Sequence, residues 1–299
     1  MRFRLSSIPF PLLLTLAAVT GAINVFSFAP YRLWPLQLAT LALLIFCLRQ
    51  LDGKDSVRRG ALFGWAYGFG WIAHGVYWIY ISLHDFGGLP GWLAVLAVAV
   101  LAAIIGLYTA LCAGLSLWLQ RRWNASPLLF ALAIFPAMWG LTEWLRGWLF
   151  TGFPWLISGY AHTAGPLSGF APLVGVYGVG CISAVIAGCL ALLPQSKLPA
   201  AAALLALLAG LVLHQINWTT PHGKPISVRL SAVRSSSVIV DVRAPPIITS
   251  PLFGRSSKPA RCNSVDLPAP EGAISATDCP GLSAKLAPAN TSTVVSPRP

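Results

Sequence analysis

Residues 91–119 read GWLAVLAVAVLAAIIGLYTALCAGLSLWL, a stretch of 29 residues without a charged side chain. A helix needs about 20 apolar residues to cross the ~30 Å hydrocarbon core of a bilayer, so this stretch is long enough to span a membrane. The rest of the chain is similar, since 56% of its 299 residues are hydrophobic and 9% are charged. Soluble domains carry about 25% charged residues. The composition therefore excludes a water-soluble globule and predicts an all-α polytopic membrane protein.

Six further stretches are apolar enough to predict about seven transmembrane helices within residues 1–214. The predicted spans are 8–26, 33–48, 61–82, 91–119, 127–147, 170–193 and 198–214. The first span also has features of a secretory signal peptide, because two arginines precede an apolar run that ends in Thr20-Gly21-Ala22. The six spans that follow favour a retained helix, and both interpretations give the chain the same orientation.

The positive charges of the membrane part lie in alternate loops between the spans. Nine occur on one predicted side: Arg2, Arg4, Arg49, Lys54, Arg58, Arg59, Arg121, Arg122 and Lys197. The other side has Arg32 and Arg146. Cytoplasmic loops carry an excess of Lys and Arg, so the N-terminus is predicted to be cytoplasmic and the chain after residue 214 to be periplasmic. This distribution accounts for the positive charge of the membrane part, +7 over residues 1–214, as a topology signal; the other +5 lies in residues 215–299. We expect no nucleic-acid partner.

No motif in the membrane part identifies a metal, cofactor or catalytic site. Residues 1–228 contain no GxSxG, no Walker loop and no His/Glu metal spacing. Four cysteines fall inside predicted spans, where Cys usually acts as a small apolar residue, and Cys262 and Cys279 lie in the C-terminal tail. We therefore expect no metal and no cofactor, and we assign no catalytic residue.

The third predicted span has two features that an ordinary apolar transmembrane helix lacks. Gly60, Gly64 and Gly68 recur every four residues, a pattern that gives a helix face on which another helix can pack closely. His74 is an ionisable residue at membrane depth, which is either a functional group or a neutral histidine bonded to a neighbouring helix. The outer loop Asp85–Gly91 follows, and its glycines and proline permit a tight turn that either closes over a lipid headgroup or has no ligand.

The most unusual stretch is TEWLRGWLFTGFPW, residues 142–155. Glu143 and Arg146 are three residues apart, so they share a helix face near the outer membrane surface and can pair. Pairing reduces the cost of a charge in the membrane. Gly152 and Pro154 are expected to end the helix, and the tryptophans form either an anchoring belt or an outward-facing lipid cleft. The candidate cleft comprises Glu143, Arg146, Trp148, Phe153, Pro154, Trp155, Phe86, Gly87 and Gly88.

Together these segments resemble the apolipoprotein N-acyltransferase family. The matching stretches are Phe28-Ala29-Pro30-Tyr31, Trp34-Pro35, Tyr77–Ser82, Phe86–Gly91, Thr142–Gly147, Thr151–Trp155, Gly159-Tyr160, Gly165–Leu167 and Ala171–Val176. The resemblance covers residues 1 to about 228. It implies a bacterial inner-membrane enzyme whose helices support a periplasmic nitrilase-like domain.

The reaction that the resemblance implies has two steps. A cysteine thiol takes an acyl chain from a phospholipid as a thioester and then passes it to the amino group of the diacylglyceryl-cysteine that begins a lipoprotein. A glutamate acts as base, and a lysine stabilises the oxyanion. The implied partners are therefore a phospholipid acyl donor, a diacylated lipoprotein and the membrane.

The chain departs from the family pattern after residue 228. Residues 215–228 resemble the entry to the first strand of the nitrilase-like domain, but the motifs around the family's glutamate, lysine and cysteine do not occur in residues 229–299. That segment has 12 charged residues, ten prolines and no Trp or Tyr. It is predicted to be a disordered, low-complexity tail, and we hypothesise that it is out of frame or otherwise unrelated sequence.

Three functions remain open from the sequence. The first is an N-acyltransferase that is inactive as this chain alone, because the catalytic motifs are missing. The second is a non-enzymatic membrane remnant that binds lipid. The third is a small transporter, which the scarcity of membrane charges and the lack of an inverted repeat disfavour.

Overall fold

A computed structural model of the chain describes residues 9–51, 53–216 and 218, and six short strands between residues 229 and 297. The chain divides into two compact units, Met1–Asn217 and Trp218–Pro299. The regular elements in the described part of the first unit are all helices or helical turns. The predicted limits 1–214, 215–228 and 229–299 stay a prediction, and residues 219–228 lie outside the described part of the chain.

The helices of the first unit follow the apolar stretches of the sequence closely. They are α1 Phe10–Asn24, α2 Pro35–Leu48, α3 Ser56–Gly75, α4 Trp78–Ile81, α5 Gly91–Arg122, α6 Pro127–Leu129, α7 Phe135–Trp148, α8 Ala171–Ala191 and α9 Leu198–His214. Short 3₁₀ turns occupy Val25–Ser27, Leu149–Thr151, Ser158–His162 and Pro166–Phe170, and π turns occupy Ser82–Phe86 and Phe130–Ile134. Prolines stand at the first or second position of α1, α2 and α9, where the missing N–H has no helical partner.

Four helical stretches in the described residues are long and apolar enough to cross a membrane. They are Phe10–Ser27, Gly91–Arg122, Pro127–Thr151 and Pro166–Ala191. The prediction of a polytopic helical membrane protein is therefore confirmed. The count of about seven stays a prediction, since α2 and α9 are apolar but only 14 and 17 residues long.

The predicted span 61–82 is interrupted rather than continuous. α3 ends at Gly75, and α4 begins three residues later at Trp78. The side chain of Leu156 occupies the space that a Cβ at position 75 would need. A distant loop therefore packs against the end of α3, and no residue pattern near Gly75 predicts this contact.

The glycine face of α3 packs on α5, as its spacing predicts. A Cβ at Gly64 would lie 2.6 Å from the Cβ of Ala113 and 2.7 Å from the carbonyl oxygen of Thr109. A Cβ at Gly68 would lie 2.6 Å from the Thr109 hydroxyl. The two backbones approach so closely that only glycine fits at these positions, which is the usual arrangement for packing helices in a membrane.

The core lies where α1, α2, α3, α7 and α8 meet. Its largest buried side chains include Leu41, Tyr67, Phe135 and Trp139. A polar connection also crosses it: the His162 Nε2 and Gln37 Oε1 atoms are 3.0 Å apart, and Gln37 donates to Ser183 Oγ at 3.3 Å. These bonds join α2, the segment after α7, and α8.

The second unit contains six short strands in its described part. They are β1 Arg229–Ala232, β2 Val238–Asp241, β3 Val265–Ala269, β4 Gly272–Ala276, β5 Leu282–Lys285 and β6 Ser296–Pro297. One antiparallel sheet has the order β1-β2-β5-β6, and β3 pairs with β4. The prediction of a disordered or aberrant C-terminal tail is therefore not confirmed for these residues.

Candidate functional site

The pair Glu143 and Arg146 lies in the interior of the first unit. The two side chains are almost fully buried, and Arg146 Nη2 is 3.3 Å from Glu143 Oε1. Both residues are on the last two turns of α7, where the three-residue spacing brings them to one face. The predicted pairing is present, and it is the one ion pair among the described residues.

Each charge of the pair also binds the chain that follows α7. Glu143 accepts the Ser158 backbone N–H at 2.8 Å through Oε1 and the Ser158 hydroxyl at 2.5 Å through Oε2. Arg146 donates to the carbonyl oxygens of Trp155 at 3.0 Å and Leu156 at 3.2 Å. We call Glu143, Arg146 and Ser158 the polar clamp. Because buried charges are costly unless paired and hydrogen-bonded, this complete set of partners makes the burial feasible.

Two tryptophans surround the polar clamp with aromatic surface. The Arg146 guanidinium carbon lies 5.5 Å from the centre of the Trp71 ring, within the range of a cation–π contact. Trp71 stacks on Trp139 at 5.8 Å between ring centres. Trp139 Nε1 donates to Ser158 Oγ at 3.1 Å, so the ring is held by the same serine that binds Glu143.

The polar clamp holds a segment with an unusual backbone, which we call the aromatic loop (residues 148–156). Phe150, Thr151 and Leu156 have φ angles of 54°, 72° and 59°. Non-glycine residues in this region cost on the order of 1–3 kcal/mol each, so such a loop persists only where its surroundings fix it. The carbonyl groups of residues 155 and 156 receive both bonds from Arg146, which supplies that constraint.

The aromatic loop presents apolar side chains outward. Trp148 and Trp155 are about half exposed, and Phe150 is 88% exposed. Phe153 is partly buried against a cluster that includes Ile72 and Val76, and Pro154 is exposed. The backbone of the aromatic loop is therefore fixed from the inside by the polar clamp, and its aromatic side chains lie on the outer face.

The structure brings together part of the predicted cleft. Arg146 bonds the carbonyl of Trp155 and accepts the Phe153 N–H at 2.7 Å through its own carbonyl oxygen. Phe86, Gly87 and Gly88 are exposed, and no hydrogen bond or core cluster of the described residues joins them to residues 143–155. Glu143 and Arg146 face the protein interior rather than an exposed surface.

Sequence reasoning missed Ser158, Trp139 and Gly180. A Cβ at Gly180 would lie 2.6 Å from Ser158 Oγ and 2.9 Å from Glu143 Oε2, so α8 must carry glycine there. Trp139 is four residues before Glu143 and so on the same helix face, which is a signal that the sequence did contain. Ser158 and Gly180 have no such signal, because loop conformation brings them to the clamp.

His162 lies just beyond the polar clamp, outside the apolar stretches that could cross a membrane. Burial lowers the pKa of its imidazole from 6.5 to about 4, because the charged form would lose its hydration. The ring is therefore neutral at pH 7. Within the described part of the chain, no group of three or more His, Cys, Asp or Glu side chains could hold a metal ion.

The aromatic loop and the polar clamp lie within a region that matches a known family. Residues 20–189 match the model of the apolipoprotein N-acyltransferase N-terminal domain. The chain belongs to the apolipoprotein N-acyltransferase family. This confirms the resemblance drawn from the sequence motifs.

Individual relatives carry the same family name. An apolipoprotein N-acyltransferase of Ralstonia nicotianae is 46% identical over 218 residues, which is 72% of this chain and 41% of that relative. One of Chromobacterium violaceum is 43% identical over 226 residues, covering 74% of this chain and 42% of the relative. One of Shewanella oneidensis is 39% identical over 220 residues, covering 73% and 41%. The chain thus spans about two fifths of the length of the relatives it matches.

Proposed function

We propose that residues 1–217 form the membrane part of an N-acyltransferase of lipoprotein maturation. The reaction moves an acyl chain from a phospholipid to the N-terminal amino group of diacylglyceryl-cysteine in a lipoprotein. The observation that carries this proposal is the family match over residues 20–189, since that region contains the whole polar clamp and aromatic loop. The substrates follow from the family resemblance.

In this proposal the aromatic loop and the outer turn at residues 86–88 form the rim of a lipid-binding cleft. Trp148, Phe153, Pro154 and Trp155 contact the acyl donor or the lipoprotein lipid from one side. Aromatic side chains are favoured at the membrane interface, where a lipid must leave the bilayer to react. Glu143 and Arg146 do not touch the lipid, and their role is to fix the backbone that carries these aromatic residues.

We further propose that the 299-residue chain has no acyl-transfer activity by itself. The family's glutamate, lysine and cysteine motifs do not occur in residues 229–299. A thioester cannot form without its cysteine nucleophile, and the membrane part has no substitute for it. The chain is placed in a bacterial inner membrane, with a cytoplasmic N-terminus and a periplasmic C-terminal tail.

A chimera tests the proposed role of the membrane part. Residues 1–217 replace the aligned region of the Ralstonia nicotianae relative, and transfer from a labelled phospholipid to a diacylated lipopeptide is measured in detergent. We expect the chimera to be active and the 299-residue chain to be inactive, with the unaltered relative as the positive control. A folded but inactive chimera would contradict the proposal and favour a membrane protein that binds lipid without transferring it.

Cysteine labelling tests the orientation. In a chain whose six native cysteines are replaced by Ser, Gln215→Cys and Ser196→Cys place a single exposed thiol at opposite ends of α9. In intact spheroplasts we expect an impermeant maleimide to label position 215 and not position 196. The reverse pattern would show that the orientation read from the positive charges is wrong.

A further inference from the structure

Three helices bring their charged ends together at one end of the first unit. A Cβ at Gly60, near the start of α3, would touch the side chains of Leu48 at the end of α2 and Leu117 near the end of α5. The residues next to these contacts are basic. We call the following set the basic patch: Arg49, Lys54, Arg58, Arg59, Arg121 and Arg122.

Part of the basic patch is fixed by contacts within the protein. Arg121 donates to the carbonyl oxygens of Gly53 and Lys54, which holds this turn against the end of α5. Arg59 lies over the Phe10 ring, with 4.8 Å between its guanidinium carbon and the ring centre. These contacts fix the patch without neutralising it, because carbonyl groups and aromatic rings carry no net charge.

Three of the other cations of the basic patch face outward, whereas Arg49 is partly buried and donates to the carbonyl oxygen of Ala191 at 3.0 Å. Lys54, Arg58 and Arg122 are exposed, and their side chains make no hydrogen bond or ion pair with the described residues. The sequence of this end adds Asp52 and Asp55, so six basic residues stand against two acidic ones. The patch therefore has an excess of positive charge that is available to an anion.

Two tryptophans place this charge at the depth of lipid headgroups. Trp118 and Trp123 are 51% and 61% exposed, and they stand on either side of Arg121 and Arg122 in the chain. Exposed Trp is enriched at the membrane–water interface, where the ring lies at headgroup level. Arginines beside it are consequently at the height of lipid phosphates.

The basic patch is separate from the aromatic loop. Gly60 marks the patch end of α3, whereas Gly75 at its other end contacts Leu156 of the loop. Fifteen residues of α-helix correspond to about 22 Å along the axis. The two surfaces therefore lie toward opposite faces of the membrane.

We propose that the basic patch binds the phosphate of an anionic phospholipid in the membrane leaflet opposite the candidate cleft. The ligand is anionic rather than zwitterionic because a headgroup amine would meet the same excess of positive charge. This site does not depend on the acyl-transfer proposal, so either can fail without the other.

Native mass spectrometry of the full chain in detergent tests this site. The probes are phosphatidylglycerol and phosphatidylethanolamine with identical acyl chains. The triple variant Lys54→Gln, Arg58→Gln, Arg122→Gln removes the exposed charges and leaves Arg121 in place. Arg32→Gln is the matched control, because Arg32 is exposed and follows the end of α1 that packs near His74, away from the patch.

We expect the unaltered chain to prefer phosphatidylglycerol and the triple variant to lose that preference. Each charge contributes about a fivefold change in affinity, so three give roughly a hundredfold loss. Arg32→Gln should keep the preference, and circular dichroism should show equal helix content in all variants. Equal binding of the two lipids, or a preference that survives the triple substitution, would overturn the proposal. Displacement of phosphatidylglycerol by millimolar inorganic phosphate would also overturn it, since the site would then serve free phosphate.

Discussion

Replacing Arg146 by Met tests whether the polar clamp stabilises the fold. The substitution keeps the apolar stem of the side chain but removes the ion pair with Glu143 and the bonds to the carbonyls of Trp155 and Leu156. Removing one partner of a buried pair costs about 3–5 kcal/mol, mainly because the other charge stays buried without compensation. Unfolding of the detergent-solubilised chain by SDS, followed by circular dichroism, measures this change.

The variant Glu143→Gln, alone and combined with Arg146→Met, completes a double-mutant cycle. Gln can accept the Ser158 backbone N–H through its amide oxygen and donate its amide N–H to the Ser158 hydroxyl. Because Gln carries no charge, the double variant has no uncompensated carboxylate. We expect it to be at least ~1 kcal/mol more stable than Arg146→Met alone, because the two residues are in contact and their effects are not additive. Arg32→Met, on the surface, should change stability by less than about 0.5 kcal/mol. A loss below about 1 kcal/mol for Arg146→Met, or additive effects in the cycle, would refute the role given to the clamp.

Two further predictions use the same unfolding measurement. Gly180→Ala places a Cβ 2.6 Å from Ser158 Oγ and should cost about 1–3 kcal/mol. Gly91→Ala at the start of α5 should cost less, because its Cβ would lie 3.3 Å from the Tyr80 hydroxyl oxygen, the end of a side chain that can shift. Equal stability of the two variants would contradict this packing. The second prediction concerns His162, whose pKa is lowered from 6.5 to about 4. The unfolded chain takes up a proton before the folded chain does, so stability should fall as the pH drops below 6.5, by about 2 kcal/mol at pH 5. His162→Gln should remove this contribution, and an unchanged pH slope in the variant would assign it to other groups.

The sequence predicted the helices well because apolar length is a local property. The stretch 91–119 became α5, and the predicted span 127–147 falls within the helical stretch Pro127–Thr151. The close packing of α3 through its glycine face could also be predicted, because residues four apart lie on the same face of a helix. The break at Gly75 could not be predicted, and its observed contact with Leu156 joins residues about 80 positions apart in the chain.

The candidate site, too, has features that the sequence predicted and features that it did not. The pairing of Glu143 with Arg146 follows from a spacing of three on a helix, and the sequence predicted it. Their bonds to Ser158 and to the aromatic loop depend on left-handed backbone angles at Phe150, Thr151 and Leu156. Such angles are rare in residues other than glycine, so no residue pattern predicts them. Sequence reasoning therefore found the charges and not the loop that they hold.

The polar clamp also has a consequence for how the chain enters the bilayer. Its partners are close in sequence, since Arg146 and Ser158 lie 3 and 15 residues after Glu143. Contacts between residues close in the chain form early, because little loop entropy is lost in closing them. The carboxylate and the guanidinium can thus neutralise one another as α7 leaves the insertion machinery, before α8 is synthesised. The paired side chains then carry no net charge when α7 enters the lipid.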